Sequence, residues 1–595
     1  MQSNETKLGY VISSSADTII VKIDRLETFE TNKSMLQVGR YLKIAEGNHD
    51  FVISMIRNLR GTNTITDGNL EWSFEIECQP LGTLIDGEAF FRGSTLLPVP
   101  TEPVYVVDKG VLDLIFAAGA RFNCPLAPLS MNKQINLMID GDGFFGKHIA
   151  IVGSTGSGKS CTVARILQDA VGIDSGINLH SARQKNSHVI IFDFHAEYRR
   201  AFSLNDDQQF TLNVLDVDTL ALPYWLMNAE ELEALFIESN ETNSHNQVSQ
   251  FKHAVIANKE RHNPTLGNMT YDCPVYFSIV EVCNYIENMN REVFGRLPGE
   301  NLPKLADGTL IPSRESKYFE EIYDFVASST AAATKATNGP FHGEFNRFSS
   351  RLNTTLSDKR LGFLLHAQKL SGDPYKTDDF ELIIKQFLGY LTKSNVTIID
   401  LSGIPFEVMS ITVSLVSRLV FDFCFQYSKI RHEISELNDV PVMLVCEEAH
   451  NYIPKSDSVS YRSSRKSLER IAKEGRKYGL SLMVVSQRPS EVSDTIFAQC
   501  SNFISLRLTN SDDQNYVRHL IPNNTKGITD ILPNLAQGES VVVGDAVLMP
   551  AIVQMPMPNP RPQSENISVH QKWQEEWKEI VFSEIVTKWQ KAQLK

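Results

Sequence analysis

One segment of the sequence matches the phosphate-binding loop pattern at every position: Gly153, Ser154, Thr155, Gly156, Ser157, Gly158, Lys159 and Ser160. An apolar run at 148–152 precedes it, and apolar residues at helical spacing follow it. The glycines allow backbone N–H groups to turn toward phosphate oxygens, and the start of the helix adds its positive dipole end. We expect Lys159 to reach the β- and γ-phosphates and the Ser160 hydroxyl to bind Mg²⁺. The segment, with the adjoining Cys161, predicts a nucleotide triphosphate site, and a chance glycine-rich turn is the alternative.

Two adjacent carboxylates follow a second apolar run. Glu447 and Glu448 come directly after Val442–Cys446, and the carboxyl ends of parallel strands form the edge of an α/β sheet where ligands bind. We expect Glu447 to hold the magnesium ion, through water, and Glu448 to orient and polarise the attacking water. A solvated strand end is the alternative, although buried carboxylates are costly without a partner. The pair predicts hydrolysis of the bound nucleotide.

Three further polar residues lie next to predicted strands. Gln487 follows the run Leu480–Val485 and could contact the γ-phosphate or the lytic water, or simply cap the strand. Arg476 precedes that run and could reach the γ-phosphate of a neighbouring subunit, because arginine stabilises charge that develops on the transferred phosphoryl group. A solvated helix end fits the position of Arg476 equally well. Arg507, which also follows a strand, is a rival for the same role.

The charge of the chain limits how it can contact nucleic acid. There are 57 Lys and Arg against 71 Asp and Glu, a net charge of −14, which excludes general coating of DNA because phosphate binding needs excess positive charge. Residues 455–477 depart from this balance, with three acids (Asp457, Glu469 and Glu474) and eight basic residues: Lys455, Arg462, Arg465, Lys466, Arg470, Lys473, Arg476 and Lys477. The segment could track a DNA backbone inside a pore, or it could be a solvated helix face.

Cysteine usage and hydropathy predict a cytoplasmic protein that does not enter a membrane. The eight cysteines in 595 residues are isolated, with no CxxC pair, so neither a zinc site nor a disulfide framework is supported. A reduced, cytosolic compartment fits best, and the N-terminus lacks the apolar core of a signal peptide. The most apolar stretch, Val408–Phe425, is interrupted by Arg418 and Asp422, which favours a core helix over a membrane span.

The pattern of apolar residues divides the chain into five segments: 1–106, 107–228, 229–385, 386–556 and 557–595. The first contains short β-branched runs typical of a small β-barrel or sandwich. The second and fourth alternate apolar strands with helices, which predicts a parallel sheet covered on both faces, with its last strand at Ser540–Val543. The third lacks strand signals and predicts a helical insertion. In the fifth, five residues at helical spacing predict an amphipathic helix that docks on this subunit or a neighbour: Trp573, Trp577, Ile580, Val581 and Ile585.

Together these motifs resemble the HerA branch of the HerA/FtsK ATPases. Besides the phosphate-binding loop, the resemblance rests on five motifs: Asp-Phe-His-Ala-Glu-Tyr at 193–198, Asp-Leu-Ser-Gly at 400–403, Glu-Glu-Ala-His at 447–450, Glu-Gly-Arg-Lys-Tyr-Gly at 474–479 and Ser-Gln-Arg-Pro at 486–489. It implies a RecA-like P-loop NTPase core, a hexameric ring, hydrolysis of ATP between subunits, and translocation on double-stranded DNA. Members of the family usually act with a nuclease such as NurA, and bacterial relatives pair with nuclease or sirtuin-like effectors in antiphage defence.

The resemblance also implies a role for each residue that matches a family motif. Those residues are the loop lysine Lys159, the loop serine Ser160, the metal acid Glu447, the catalytic Glu448, the sensor Gln487 and the trans arginine finger Arg476. The sequence departs from the family pattern at Glu447, where Asp is commoner. It departs again at Phe194 and Ala196, where Pro and Gly are typical, which puts the role of His195 in doubt.

Two functions of different classes fit these predictions. The first is an ATP-driven ring motor that translocates on or unwinds double-stranded DNA with an effector, in antiphage defence or DNA end processing. The second is a ring scaffold that assembles and activates an effector enzyme, with ATP as a structural or regulatory ligand. The acidic balance of the chain slightly favours the scaffold over strong DNA affinity. Stimulation of ATP turnover by DNA distinguishes the two.

Overall fold

The computed structural model describes the following residues: 7–47, 49–66, 69–93, 96–116, 119, 121–173, 185–203, 211–237, 244–456, 461–521, 526–564 and 567–594. Asp457, one of the three acids counted in the basic segment, lies outside the described residues. The chain forms an N-terminal β-barrel, a large α/β sheet, a mainly helical insertion and a C-terminal tail. The α/β core with a barrel before it and a helical insertion within it confirms the predicted fold class.

The N-terminal sheet contains seven strands: β1 (Gly9–Ser14), β2 (Ile19–Ile23), β3 (Tyr41–Glu46), β4 (Asp50–Thr66), β5 (Asn69–Ile85), β6 (Ala89–Arg92) and β7 (Pro103–Val106). Their order is β2-β1-β7-β3-β4-β5, and β2 pairs with β5 to close a six-stranded barrel, while β6 extends β5. Alternate side chains fill the interior, among them Val21, Ile44, Val52 and Ile76, all fully buried. Closure of this kind leaves few unpaired strand edges.

Thirteen further strands follow in the described part of the chain: β8 (Cys124–Leu129), β9 (Asn132–Ile139), β10 (Ile149–Val152), β11 (His188–Asp193), β12 (Leu212–Leu215), β13 (Val293–Gly295), β14 (Ala336–Asn338), β15 (Val396–Asp400), β16 (Val442–Cys446), β17 (Leu480–Ser486), β18 (Asn502–Ser505), β19 (Glu539–Gly544) and β20 (Ala551–Gln554). Eleven of them form one sheet, and β13 and β14 pair with each other. The sheet order is β12-β15-β11-β16-β17-β10-β18-β19-β20-β8-β9.

The sheet changes direction after β18. The strands from β12 to β18 in this order are parallel, and the remaining four are antiparallel. The prediction of a parallel strand at Ser540–Val543 is therefore wrong, because β19 runs antiparallel to β18, with Val542 opposite Ile504. A continuous apolar run reveals that both faces of a strand are buried, but it does not reveal the direction of the strand.

The described residues contain nineteen α-helices: α1 (Leu26–Asn32), α2 (Lys109–Ile115), α3 (Gly141–Phe145), α4 (Lys159–Val171), α5 (Tyr198–Ala201), α6 (Ala229–Phe236), α7 (Ser244–His262), α8 (Ile279–Arg291), α9 (Arg314–Lys317), α10 (Asn346–Ser357), α11 (Gly362–Leu365), α12 (Phe380–Phe387), α13 (Phe406–Glu433), α14 (Arg462–Glu474), α15 (Asp494–Ala498), α16 (Ser511–Leu520), α17 (Lys526–Thr529), α18 (Val569–Trp573) and α19 (Phe582–Leu594). Helices α6 to α12 form the insertion, together with the two-stranded ribbon of β13 and β14. The sequence pattern did not reveal that ribbon, because each of its strands has only three residues.

Helix α13 is the one helix among the described residues that is long and apolar enough to cross a bilayer by length and composition. Within its most apolar window, 78% of the residues are buried inside the protein. Arg418, at mid-helix, forms an ion pair of 2.8 Å with the fully buried Glu231, and it donates a hydrogen bond to the carbonyl of Leu226. These contacts identify α13 as a core helix, as the sequence predicts.

The C-terminal tail differs from its prediction. Helix α18 ends at Trp573 and α19 begins at Phe582, so the predicted amphipathic helix is interrupted. Trp573 and Trp577 are 83% and 90% exposed, and α19 lies against residues 359–361 of the insertion. Short helices owe most of their stability to packing of an apolar face. Where those side chains find no surface within the chain, helical spacing alone does not ensure a continuous helix.

Candidate nucleotide site

The phosphate-binding loop joins β10 to α4 at the carboxyl edge of the parallel strands. Gly156 and Gly158 have φ angles of +74° and +106°, a left-handed region that strains any residue with a side chain. Helix α4 begins at Lys159 directly after Gly158, so its unpaired N–H groups and positive dipole end face the loop. Burial lowers the pKa of Lys159, and three nearby carboxylates oppose that shift. The backbone geometry is that of a triphosphate cradle.

Two backbone hydrogen bonds hold the loop from the side of β18 and β19. The Ser154 N–H donates to the carbonyl of Arg507 at 2.8 Å, and the Gly538 N–H donates to the carbonyl of Ser157 at 3.0 Å. The hydroxyl of Ser154 also lies 3.0 Å from that of Thr509. These contacts from neighbouring elements fix the conformation of the loop, and a fixed loop lowers the entropic cost of binding.

Glu447 and Glu448 lie at the carboxyl end of β16 and are almost fully buried, at 2% and 3% exposed. Oε2 of Glu447 accepts a hydrogen bond from the Phe194 N–H at 3.3 Å. Burial raises the pKa of Glu447 well above its usual value, and the like charges of Asp193, Glu197 and Glu448 raise it further. Glu448 has a φ angle of +46°, a strained conformation of the kind found at functional sites. Their burial excludes a solvated strand end.

A chain of hydrogen bonds joins the loop to Glu448 through Gln487. The Thr155 hydroxyl donates to Oε1 of Gln487 at 2.5 Å, and Nε2 of Gln487 donates to Oε1 of Glu448. On the other side, Nδ1 of His450 lies 3.4 Å from Oε2 of Glu448, and the Ser486 hydroxyl lies 3.3 Å from the same nitrogen. Gln487 therefore links the buried carboxylate of Glu448 to the phosphate-binding loop. A residue that only capped the strand would not make both of these hydrogen bonds.

One cavity of about 630 Å³ brings most of the predicted site residues together. Its walls include the carboxylates and amide at the ends of β16 and β17, together with the loop and the first residues of α4: Glu447, Glu448, Gln487, Thr155, Gly156, Gly158, Lys159, Ser160 and Cys161. Gly153 packs closely against Ser157 within the loop. A Cβ at position 153 would come within 2.6 Å of the Ser157 hydroxyl oxygen, so only glycine fits there. The volume is typical of a small-molecule site.

The turn after β11 contributes two cavity residues, His195 and Glu197, for which the sequence predicts no role. Both carboxylate oxygens of Asp193 accept backbone N–H groups, from Glu197 at 3.0 Å and from Tyr198 at 2.9 Å, so Asp193 shapes the turn. His195 and Glu197 line the cavity instead. Ala196, where the family commonly has Gly, has a φ angle of +56°. A residue with a side chain carries strain of about 1 kcal/mol in this conformation.

The residues around Ser160 fit a magnesium ion. Ser160 and Glu447 offer a hydroxyl and a carboxylate, and oxygen ligands are those that Mg²⁺ prefers. One carboxylate oxygen of Glu197 is buried without a hydrogen-bond partner in the described part of the chain. Burial raises the pKa of Glu447, and three neighbouring carboxylates raise it further, so negative charge is crowded at this end of the cavity. A divalent cation held by Ser160 and Glu447 would neutralise that charge.

Replacing Glu447 by Gln should stabilise the protein when nucleotide and Mg²⁺ are absent. Because the pKa of Glu447 is raised on folding, its carboxyl group costs no stability below the unfolded pKa and destabilises the fold increasingly as the pH rises toward the folded pKa. We expect Glu447→Gln to raise the midpoint temperature of thermal unfolding more at pH 8 than at pH 5. Scanning fluorimetry measures the midpoint temperature at both pH values, and Glu407→Gln, at an exposed position, is the control. Earlier unfolding of Glu447→Gln at pH 8 would contradict this.

The two candidate finger arginines lie at opposite edges of the sheet. Arg476 is exposed and precedes β17 at the amino edge. Arg507 is partly buried, follows β18 at the carboxyl edge, and holds the phosphate-binding loop through its carbonyl. Neither side chain lines the cavity of its own chain. Arg476 is therefore exposed and lies away from the nucleotide cavity of its own chain.

Much of the positive charge in residues 455–477 is paired within the chain. Acids outside the segment form three of these ion pairs: Lys455 with Asp494, Lys466 with Glu230, and Arg470 with Asp422. Within α14, Glu469 also pairs with Arg465. Counting charges along the sequence therefore overstates the local positive potential, and the described residues favour a solvated helix face over a continuous basic track.

Comparison with known proteins agrees with the geometry of the site. Residues 126–420 match the family model described as the central domain of helicase HerA. The chain is 22% identical over 602 residues to the DNA double-strand break repair helicase HerA of Sulfolobus acidocaldarius, covering 98% of this chain and 99% of that protein. It is 23% identical over 552 residues to a probable HerA helicase of Methanocaldococcus jannaschii, covering 89% and 92%. The central part of the chain therefore matches the HerA central domain, and nearly the whole chain aligns with a HerA helicase.

These matches confirm the resemblance to HerA drawn from the motifs, and they show that the chain is a P-loop ATPase. Among solved structures, the chain is similar to the bacterial conjugative coupling protein TrwB, with a TM-score of 0.41 and 13% identity, covering 77% of this chain and 94% of that one. The HerA motifs at 153–160, 193–198, 447–450 and 486–489 all contribute residues to the cavity.

Proposed function

We propose that this protein hydrolyses ATP with Mg²⁺ in the cavity beside the phosphate-binding loop. The proposal rests on one observation: a single cavity is lined by the loop lysine and serine, the two carboxylates and the amide, namely Lys159, Ser160, Glu447, Glu448 and Gln487. Glu448 takes a proton from the attacking water, and Gln487 holds the Glu448 carboxylate by a hydrogen bond. Lys159 neutralises charge on the β- and γ-phosphates. Mg²⁺, when bound by Ser160 and Glu447, supplies further positive charge to the phosphate oxygens.

A neighbouring subunit completes this site in a hexameric ring. Arg476 is exposed at the edge of the sheet opposite its own phosphate-binding loop, which suits contact with the site of another subunit. The exposed tryptophans of the tail, Trp573 and Trp577, also favour assembly, because large apolar side chains rarely stay in solvent as a group. Both observations support a closed ring with sites between subunits.

The work driven by ATP is movement on double-stranded DNA. The two archaeal relatives are named as helicases of DNA double-strand break repair, and we extend that activity to this chain. The net charge of −14 requires the DNA contacts to be concentrated on a few cations, such as the exposed Arg462 and Lys477. The ring would work in the cytoplasm with a nuclease or sirtuin-like effector, in DNA end processing or antiphage defence.

A ring scaffold that assembles and activates an effector is the second candidate. The ion pairs that neutralise much of the basic segment favour it, since they reduce the charge available to phosphates. In that case ATP would regulate assembly, and DNA would leave the ATPase rate unchanged. We expect a DNA motor instead, with phosphate release that rises when linear duplex is added and a stimulation that falls as salt rises. Unchanged release at low salt would favour the scaffold.

Mixing two inactive variants tests whether Arg476 acts in trans. Lys159→Ala removes the phosphate lysine and keeps the arginine, whereas Arg476→Ala does the reverse. We expect each variant alone to be inactive and a mixed assembly to recover part of the ATP turnover, because some interfaces then combine an intact loop with an intact arginine. Exchange of subunits is the required step, and a colorimetric phosphate assay is the measurement. No recovery from the mixture, together with loss of turnover in Arg507→Ala, would transfer the role to Arg507.

A further inference from the structure

A segment of the tail, residues 557–564, forms part of the wall of the nucleotide cavity, and we call it the strap. Four of its residues line the cavity together with the phosphate-binding loop: Met557, Arg561, Pro562 and Ser564. The roles proposed for the phosphates, the metal and the attacking water use none of them. The strap therefore forms a part of the cavity wall to which the proposed function assigns no part of the nucleotide.

The strap is pinned to the elements that carry the phosphate site. Gln168 of α4 is fully buried, and its Nε2 donates to the carbonyl of Pro560 at 2.7 Å. Its Oε1 accepts the N–H of Asn559 at 3.1 Å. Farther along, the Gln563 N–H donates to the carbonyl of Glu197 at 2.8 Å. The strap thus has a defined position against α4 and the turn after β11, rather than lying loosely on the surface.

The chemistry of the strap differs from that of the rest of the cavity. Lys159, Ser160 and Glu448 occupy the part suited to the β- and γ-phosphates, so the nucleoside must extend toward other walls. The strap offers an apolar side chain, Met557, that is 51% exposed, and the exposed guanidinium of Arg561. A thioether and a planar cation are both good partners for the face of an aromatic base.

We propose that the strap is the nucleoside-binding wall of the ATP site, with Arg561 and Met557 against the base. The proposal rests on the proposed function, because it needs a nucleotide in this cavity. It assigns to the C-terminal segment a direct part in substrate binding, and it makes Arg561 a residue that discriminates a nucleotide from a bare polyphosphate. The hydroxyl of Ser564 is then placed for the ribose or the edge of the base.

The test compares ATPγS with inorganic tripolyphosphate, which has the phosphates and no nucleoside. Calorimetric titration of the full-length protein with Mg²⁺ measures both affinities for the wild type, Arg561→Ala, Met557→Ala and Gln563→Ala. Gln563 is the control, because it belongs to the strap but lines a different pocket. We expect Arg561→Ala to weaken ATPγS binding about tenfold and Met557→Ala to weaken it less, with tripolyphosphate binding unchanged in both. Gln563→Ala should change neither affinity.

Other results overturn the assignment in distinguishable ways. If Arg561→Ala weakens ATPγS and tripolyphosphate equally, Arg561 contacts phosphates and the strap is not the nucleoside wall. If neither Arg561→Ala nor Met557→Ala changes ATPγS affinity, the nucleoside lies elsewhere in the cavity. If the wild type binds neither ligand, the proposed nucleotide site itself is wrong, whatever the variants do.

Discussion

Lys159→Ala should abolish ATP turnover, with a fall in kcat/KM of about 10³-fold or more. The Lys159 side chain is 7% exposed and lines the cavity at the start of α4, where it would meet the β- and γ-phosphates. Removing its charge leaves the loop amides without the cation that offsets charge developing on the transferred phosphoryl group. Phosphate release at saturating Mg²⁺ and ATP measures the effect.

Lys147→Ala is the matched control for this experiment. Lys147 lies just before β10, at the opposite end of the same strand, and pairs with Asp545 at 2.8 Å. The same chemical change there should leave turnover close to the wild-type rate, because a partly exposed ion pair contributes little to stability. Normal turnover in Lys159→Ala would show that the phosphate-binding loop does not serve hydrolysis.

Glu448→Gln should trap ATP without hydrolysing it. The substitution keeps the shape of the side chain and removes the base, so we expect kcat to fall about 10²- to 10³-fold while nucleotide affinity stays within a few-fold of the wild type. Gln487 can still hydrogen-bond the new side chain, which preserves the local geometry. Rapid filtration with labelled ATP, followed by separation of bound ATP from ADP, measures both quantities.

Glu491→Gln tests whether loss of any nearby carboxylate has the same result. Glu491 follows β17 and pairs with Arg488 at 2.5 Å at the protein surface, outside the cavity. We expect wild-type turnover from this control. Bound ADP in place of ATP in Glu448→Gln would mean that another group activates the water, and Glu197, which lines the same cavity, would then be the next carboxylate to replace.

The core of the site could be predicted from the sequence because each part of it ends a strand. The loop follows β10, Glu447 and Glu448 follow β16, and Gln487 follows β17. Parallel strands bring their carboxyl ends to one edge of a sheet, so apolar runs followed by polar residues were enough to expect these groups together. The same reasoning predicted the wrong direction for β19, because an apolar run shows that both faces of a strand are buried but not which way the strand runs.

The rest of the site depends on contacts between segments far apart in the sequence. Glu197 enters the cavity because Asp193 bends the turn after β11 around two backbone N–H groups, and no spacing rule reveals that. The strap reaches the cavity through Gln168 of α4, nearly 400 residues earlier. The ion partners of the basic segment could not be read from charge patterning for the same reason, since Asp494, Glu230 and Asp422 lie in other elements.

The most direct measurement is a structure of Glu448→Gln, purified as its native assembly, with Mg²⁺, ATP and a DNA duplex. We predict a triphosphate on residues 153–160, a cation held by Ser160 and Glu447, and an arginine of an adjacent subunit at the γ-phosphate. A nucleotide bound away from Lys159 would contradict the proposed hydrolysis site. A chain that remains a monomer with ATP and DNA present would contradict the ring.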